Sequence, residues 1–159
     1  LCNRTMPTPP STQASLPPLH AFKAHGDALS CAGQISVADV ALLAAAGYRS
    51  IICNRPDAED GAVDHLLIAK AASKLGMAFA YQPVLFSQVG VRDGTSFAQT
   101  LVELPKPILA YCRTGRRSAA LWALAKAPHI GVGAALASSS ESGFDLDELR
   151  PRMQAAGLR

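Results

Sequence analysis

Along most of this chain, short wholly apolar runs alternate with longer stretches in which apolar residues recur every three or four positions. Ala28 to Ala32 reads as a short strand. Ser36 then starts a helix, with Asp39 completing a capping box and Gly47 stopping it. The apolar face predicted for this helix is Val37, Val40, Ala41 and Ala44. Arg49 to Cys53 reads as a buried strand, and Asn54-Arg55-Pro56-Asp57 turns the chain outward at its carboxyl end. A second helix is expected from about Ala62 to Leu75, closed by Gly76. A strand from Met77 to Val84 and a loop from Leu85 to Gly94 follow. A helix from about Thr95 to Leu104 stops against Pro105 and Pro107. Ile108 to Cys112 is almost wholly apolar, which marks a central strand covered on both faces. Ser118 to Ala127 reads as a helix ended by Pro128, and two further short helices fill Gly131 to Ser142 and Asp145 to Ala156.

Strand-helix alternation of this kind implies an α/β fold, a mainly parallel sheet with helices on both faces. Ligands of such sheets sit outside the carboxyl ends of the strands, where Cys112 and the Asn54 to Asp57 turn both fall. Residues 1–18 hold five of the eleven prolines and lack apolar periodicity, so they read as a disordered tail ahead of one catalytic domain, residues 19–159.

Composition narrows the function. With 159 residues, 49% hydrophobic and 17% charged, the chain suits one soluble domain. No run reaches the ~18 apolar residues of a membrane span, which argues against a membrane protein and for a cytoplasmic one. The net charge of +3 comes from scattered residues, which argues against nucleic acid as partner. The four cysteines, Cys2, Cys31, Cys53 and Cys112, have neither metal-ligand spacing nor the density of a disulfide scaffold, and a reducing compartment fits them. No metal or other cofactor is called for.

The chemistry concentrates in Tyr111-Cys112-Arg113-Thr114-Gly115-Arg116-Arg117-Ser118. A cysteine ending a buried strand just before a helix has the amides of Arg113, Thr114, Gly115 and Arg116 free to curl around its sulfur. With the positive end of the helix they cradle an anion and favour thiolate over thiol. Gly115 lets the loop turn. Arg117 can hold two ligand oxygens with its planar fork, while Arg113 and Arg116 raise the local potential. The Ser118 hydroxyl is placed to donate to the sulfur when a covalent intermediate breaks down. The expected partner is a small anion, either a phosphate ester or a sulfane sulfur donor.

YCRTGRRSAALW, from Tyr111 to Trp122, resembles the active-site signature of the bacterial family called beta-lactamase-hydrolase-like protein, phosphatase-like domain. LSCAGQ, IICNRPD and GFDLDEL, beginning at Leu29, Ile51 and Gly143, resemble other parts of that family. The resemblance implies the fold of dual-specificity and protein tyrosine phosphatases, and a cysteine-dependent phosphatase working through a thiophosphate intermediate.

Loop length pulls the other way. Four residues separate Cys112 from Arg117, one fewer than protein tyrosine phosphatases usually have and the spacing of rhodanese-type sulfurtransferases, which form a persulfide. A third reading is a catalytically weak module that binds anions or phosphorylated partners. Phosphate ester cleavage needs a general acid, normally on the loop after the Met77 to Val84 strand. Asp93 is the nearest candidate there, with a turn residue before Gly94 as its alternative. Asp57, and Glu59 beside it, could reach the same crevice, where Asp57 either manages protons, orients a loop arginine or caps its own turn. Trp122 is expected in the core, as is Cys53.

Overall fold

The computed structural model describes residues 16–22, 26 and 28–159. Residues 1–15 of the expected tail lie outside these, and Leu16 packs against the core. Five strands form one sheet: β1 (Leu19–Phe22), β2 (Leu29–Ala32), β3 (Ser50–Cys53), β4 (Ala78–Tyr81) and β5 (Ile108–Tyr111), in the order β1-β2-β5-β3-β4. All neighbouring pairs are parallel except β1 with β2. The mainly parallel sheet with β5 at its centre is therefore as the sequence suggests. The antiparallel edge strand β1 is not foreseen there.

Alternation along each strand divides the core into two layers. Leu29, Cys31, Ile52, Ile108 and Ala110 face one side, beneath α3 (Val91–Glu103), α4 (Arg116–Ile130) and α5 (Val132–Glu141). Ile51, Cys53, Leu109 and Tyr111 face the other, beneath α1 (Val37–Ala45) and α2 (His65–Lys74). A 3-10 turn, Asp147–Leu149, leads into the short α6 (Arg150–Ala155), which Leu149 and Met153 anchor in the first layer. All four residues of β5 are fully buried. Truncating one of its large side chains to alanine costs about 2–5 kcal/mol.

Several helix details differ from expectation. The Ser36–Asp39 capping box forms as read, but its geometry turns Asp39, Val40 and Leu43 inward and leaves Val37 and Ala41 exposed. Helix α3 begins at Val91, not near Thr95, because the Asp93 carboxylate accepts the Gly90 amide at 2.9 Å and closes the first turn. Helix α4 runs through Pro128 and ends at Gly131, whose φ is 92°. The carbonyl of Leu124 that Pro128 cannot bond packs against Gly94 of α3, where a Cβ would come within 2.6 Å of the Leu124 Cβ. The last predicted helix divides into the 3-10 turn and α6.

Candidate active site

The chain leaves β5 at Cys112, which is 1% exposed and whose amide donates to Ala32 O at 3.3 Å. The loop then folds back, and the Gly115 amide donates to Cys112 Sγ at 3.1 Å. This needs Gly115 at φ 91°, and a Cβ there would come 3.0 Å from the Phe144 ring and 3.3 Å from the Ala32 carbonyl. Only glycine fits. On the other side of the loop, Gln34 donates its amide to Arg113 O at 3.2 Å, and Gly33 packs against the same carbonyl. Because α4 starts at Arg116, its first-turn amides lie directly after the sulfur without intrahelical acceptors.

Arg117 is held from outside the loop. Its Nη1 donates to Glu59 Oε2 at 2.5 Å and to Val84 O at 3.0 Å, and its Nη2 donates to Glu59 Oε1 at 2.8 Å. A guanidinium has five donors, so these three bonds leave the Nε–H and one Nη2–H, which are the ones able to face Cys112 and a ligand beside it. The bidentate bond to Glu59 raises the Arg117 pKa, partial burial opposes it, and charge on Cys112 adds to the rise. Arg117 therefore lies within electrostatic reach of the sulfur.

Glu59 is in turn tied to Arg55, whose Nε donates to its Oε1 at 3.0 Å. Arg55 is 5% exposed and spends its other nitrogens on Gln34 Oε1 (2.9 Å) and Asp60 O (2.7 Å). A carboxylate shared between two arginines is favoured in its charged form, and the bond from Arg117 is the chief cause that holds Glu59 below the usual carboxylate range. Gln34, Arg55 and Glu59 thus form a rigid relay from β2 to the loop arginine. In the sequence Arg55 and Gln34 carry no signal of this role, since a charged residue in a turn ordinarily reads as solvated.

Other candidates fall differently. The Ser118 hydroxyl, fully buried, donates to Asn54 Oδ1 at 2.8 Å rather than to the sulfur. Asn54 is itself fixed by its Nδ2 bond to Gln82 O (2.9 Å) and its amide bond to Tyr111 O (2.8 Å). The Arg116 side chain turns away from the loop. It pairs with Glu148, donates to Asp145 O and lies 4.2 Å over the Phe86 ring. Arg113 and Thr114 are exposed, and Thr114 Oγ1 accepts the Arg116 amide at 3.4 Å.

Asp57 meets His65 instead of a loop arginine. Its carboxylate accepts the His65 amide at 2.9 Å and contacts Nδ1 at 2.5 Å, while the imidazole stacks on Tyr81 at 3.6 Å. Desolvation, the largest single cause, pulls the Asp57 pKa up, but the two His65 bonds and the charge of His65 together outweigh it, so the net shift is downward. Asp57, Asp64 and His65 bring donor atoms within 4.8 Å of one another, the arrangement among the described residues that could hold a cation. Asp93 sits in the first turn of α3 and lines a cleft of about 310 Å³ with Pro56, Val84, Leu85 and Gln88. Cys53 is buried, its thiol donating to Arg55 O at 3.4 Å, and burial pushes its pKa up, as it does for Cys31. Trp122 is in the core as expected. No helix among the described residues is long and apolar enough to cross a membrane.

Known proteins resemble the chain in sequence and in fold. Over 100 residues the chain is 35% identical to the Beta-lactamase hydrolase-like protein of Agrobacterium fabrum, a stretch covering 62% of this chain and 23% of that protein. The chain thus spans less than a quarter of that relative's length. A solved candidate phosphatase from Neisseria meningitidis is 32% identical, with a TM-score of 0.71 over 80% of this chain and 92% of that one. TpbA of P. aeruginosa, 20% identical, superimposes with a TM-score of 0.56 over 79% of this chain and 76% of its own, and a form of it with one cysteine replaced by serine was solved in complex with phosphotyrosine. The fold is that of the protein tyrosine phosphatases. The sequence profile of the Beta-lactamase hydrolase-like protein, phosphatase-like domain matches residues 21–129, and the chain belongs to that family.

Proposed function

We propose that the chain is a cysteine-dependent hydrolase of phosphate monoesters. The observation that carries this reading is the pairing of Cys112 Sγ, drawn into its loop by the Gly115 amide, with Arg117, which Glu59 and Val84 O hold while its remaining donors face the sulfur. Those donors and the first-turn amides of α4 suit the equatorial oxygens of a phosphoryl group. Cys112 Sγ attacks phosphorus, the P–O bond to the leaving group breaks, and the ester oxygen takes a proton from Asp93 or solvent. Water then attacks the thiophosphate, releasing phosphate and restoring the thiolate. Ser118 assists that second step by swinging its hydroxyl from Asn54 to the departing sulfur.

Hydrolysis of p-nitrophenyl phosphate that disappears in Cys112→Ser, with about 80 Da trapped on Cys112 during turnover, is the expected result. A wild-type chain without hydrolysis ends this reading.

The four-residue interval between Cys112 and Arg117 favours a second one, sulfur transfer from thiosulfate or a persulfide to a thiol acceptor. It requires no general acid. Thiocyanate formed from thiosulfate and cyanide, with about 32 Da on Cys112, would establish it. If neither activity is found and Cys112 titrates like an ordinary thiol, both enzymatic readings fall and the anion-binding module is left to be tested by phosphate binding.

A further inference from the structure

The carboxyl-terminal segment after α5 lies beyond the residues matched by the family profile, yet it touches both walls of the site. Phe144 rests on Gly115 at the point where a Cβ would be 3.0 Å from its ring. Asp145 O and the Glu148 carboxylate hold Arg116 next to the cysteine loop. From α6, Arg152 Nη1 donates to two carbonyls of the facing loop, Phe86 O at 2.9 Å and Val89 O at 2.9 Å. Arg116 closes the circuit by lying over the Phe86 ring at 4.2 Å. The facing loop, residues 85–90, has no strand or helix of its own. Its internal amide bonds are Gln88 and Val89 to Leu85 O, at 3.0 and 2.9 Å, and Arg117 holds only Val84 O just before it.

We propose that the segment Phe144 to Arg152 is a strap that ties loop 85–90 to the cysteine loop and so sets the cleft that loop 85–90 forms with Pro56 and Asp93. Arg152 is its positioning residue. The loop's Leu85, Gln88 and Val89 line the roughly 310 Å³ cleft that also contains Asp93. One terminal nitrogen bonding two carbonyls three residues apart restrains both ends of the turn, adding to the burial of the Val89 side chain, and a cation does so more strongly than a neutral donor. Met153 and Leu149 anchor the strap in the core, so the restraint does not depend on the loop's own order. The consequence for turnover rests on the phosphatase reading above; the restraint itself does not.

Hydrogen exchange on the full chain separates the two. Arg152→Met should speed exchange of the Gln88 and Val89 amides by roughly five- to tenfold, the effect of losing charge-assisted restraint on a local opening, with Leu109 and Ala110 of β5 unchanged. Arg152→Lys, which keeps the charge but cannot reach both carbonyls with fixed geometry, should fall between. In parallel, Arg152→Met should raise the KM for p-nitrophenyl phosphate several-fold with a smaller change in kcat. Unchanged exchange at Gln88 and Val89 overturns the strap. Faster exchange with KM and kcat both at wild-type values overturns its role in the cleft. A wild-type chain that hydrolyses nothing refutes the phosphatase reading and leaves the strap to be decided by exchange alone.

Discussion

The relay from Gln34 through Arg55 and Glu59 to Arg117 can be interrupted with little change of shape by Glu59→Gln. The substitution keeps one acceptor oxygen but places an amide N–H where an arginine N–H already points. Side-chain exposures of 26% for Glu59, 11% for Arg117 and 5% for Arg55 put the cluster between two regimes. A fully exposed pair contributes about 0.2–1 kcal/mol, and breaking a buried one costs about 3–5 kcal/mol. A loss of about 2–3 kcal/mol follows. For a chain of this size that lowers Tm by roughly 5–10 °C. Freed from Glu59, Arg117 also loses its orientation, and kcat/KM for p-nitrophenyl phosphate should fall by roughly 10- to 100-fold.

The sign of the pH dependence is fixed by the direction of the shift. Glu59 titrates lower in the folded chain than unfolded, so its contribution is fully present above the ordinary glutamate value of about 4.3 and is lost as pH falls through the depressed folded value. The gap in Tm between wild type and Glu59→Gln should therefore be constant near neutrality and close on acidification. A variant that melts within about 1 °C of wild type at pH 7 and keeps its kcat/KM would refute the claim that Glu59 holds the arginine.

Other substitutions probe other parts of the argument. Gly115→Ala combines a strained backbone with contacts at 3.0 and 3.3 Å, so it should abolish hydrolysis and destabilise the fold by about 2 kcal/mol or more, measured by urea titration. Gly94→Ala should push α3 from α4, since its Cβ would meet Leu124 at 2.6 Å, and should lower Tm by roughly 5–10 °C without specific loss of Cys112 reactivity. If Asp93 supplies the proton, Asp93→Asn flattens one limb of the pH-rate profile, whereas an unchanged profile removes it from the mechanism. Ser118→Ala, which strips Asn54 Oδ1 of its donor, should slow breakdown of the thiophosphate and increase the fraction of Cys112 found about 80 Da heavier during turnover.

What could be read from the chain was whatever local chemistry decides. Ile108 to Tyr111 announces a central strand because a fully apolar run has nowhere else to go, and Ser36 with Asp39 announces a helix start because both partners of the capping box are three residues apart. Gly115 was legible for the same reason, as the one residue that tolerates its turn. The start of α3 was not, because Asp93-Gly94 signals a turn as strongly as a first helical turn when the N-cap is Gly90, which offers no side chain. Pro128 suggested a helix end, but losing one bond is tolerated where the freed carbonyl lies against a glycine of the neighbouring helix. Strand β1 is four residues long and is recognisable only by its pairing with β2. That Glu59 rather than Asp57 orients the loop arginine depends on Arg117, 58 positions from Glu59 in the chain. Two carboxylates separated by one residue in the same turn carry no local mark of which will find it.

The position of β5 has a kinetic meaning. A strand bonded on both sides by parallel neighbours, with all four residues buried, is among the last parts of a sheet to open. Cys112 hangs directly from it. Its backbone anchor should therefore hold until the whole molecule unfolds, and hydrogen exchange at Ala110 and Tyr111 should follow the global transition in denaturant. The cooperativity of the entire domain thus fixes where the sulfur hangs, while the cysteine loop alone decides which anion fits around it.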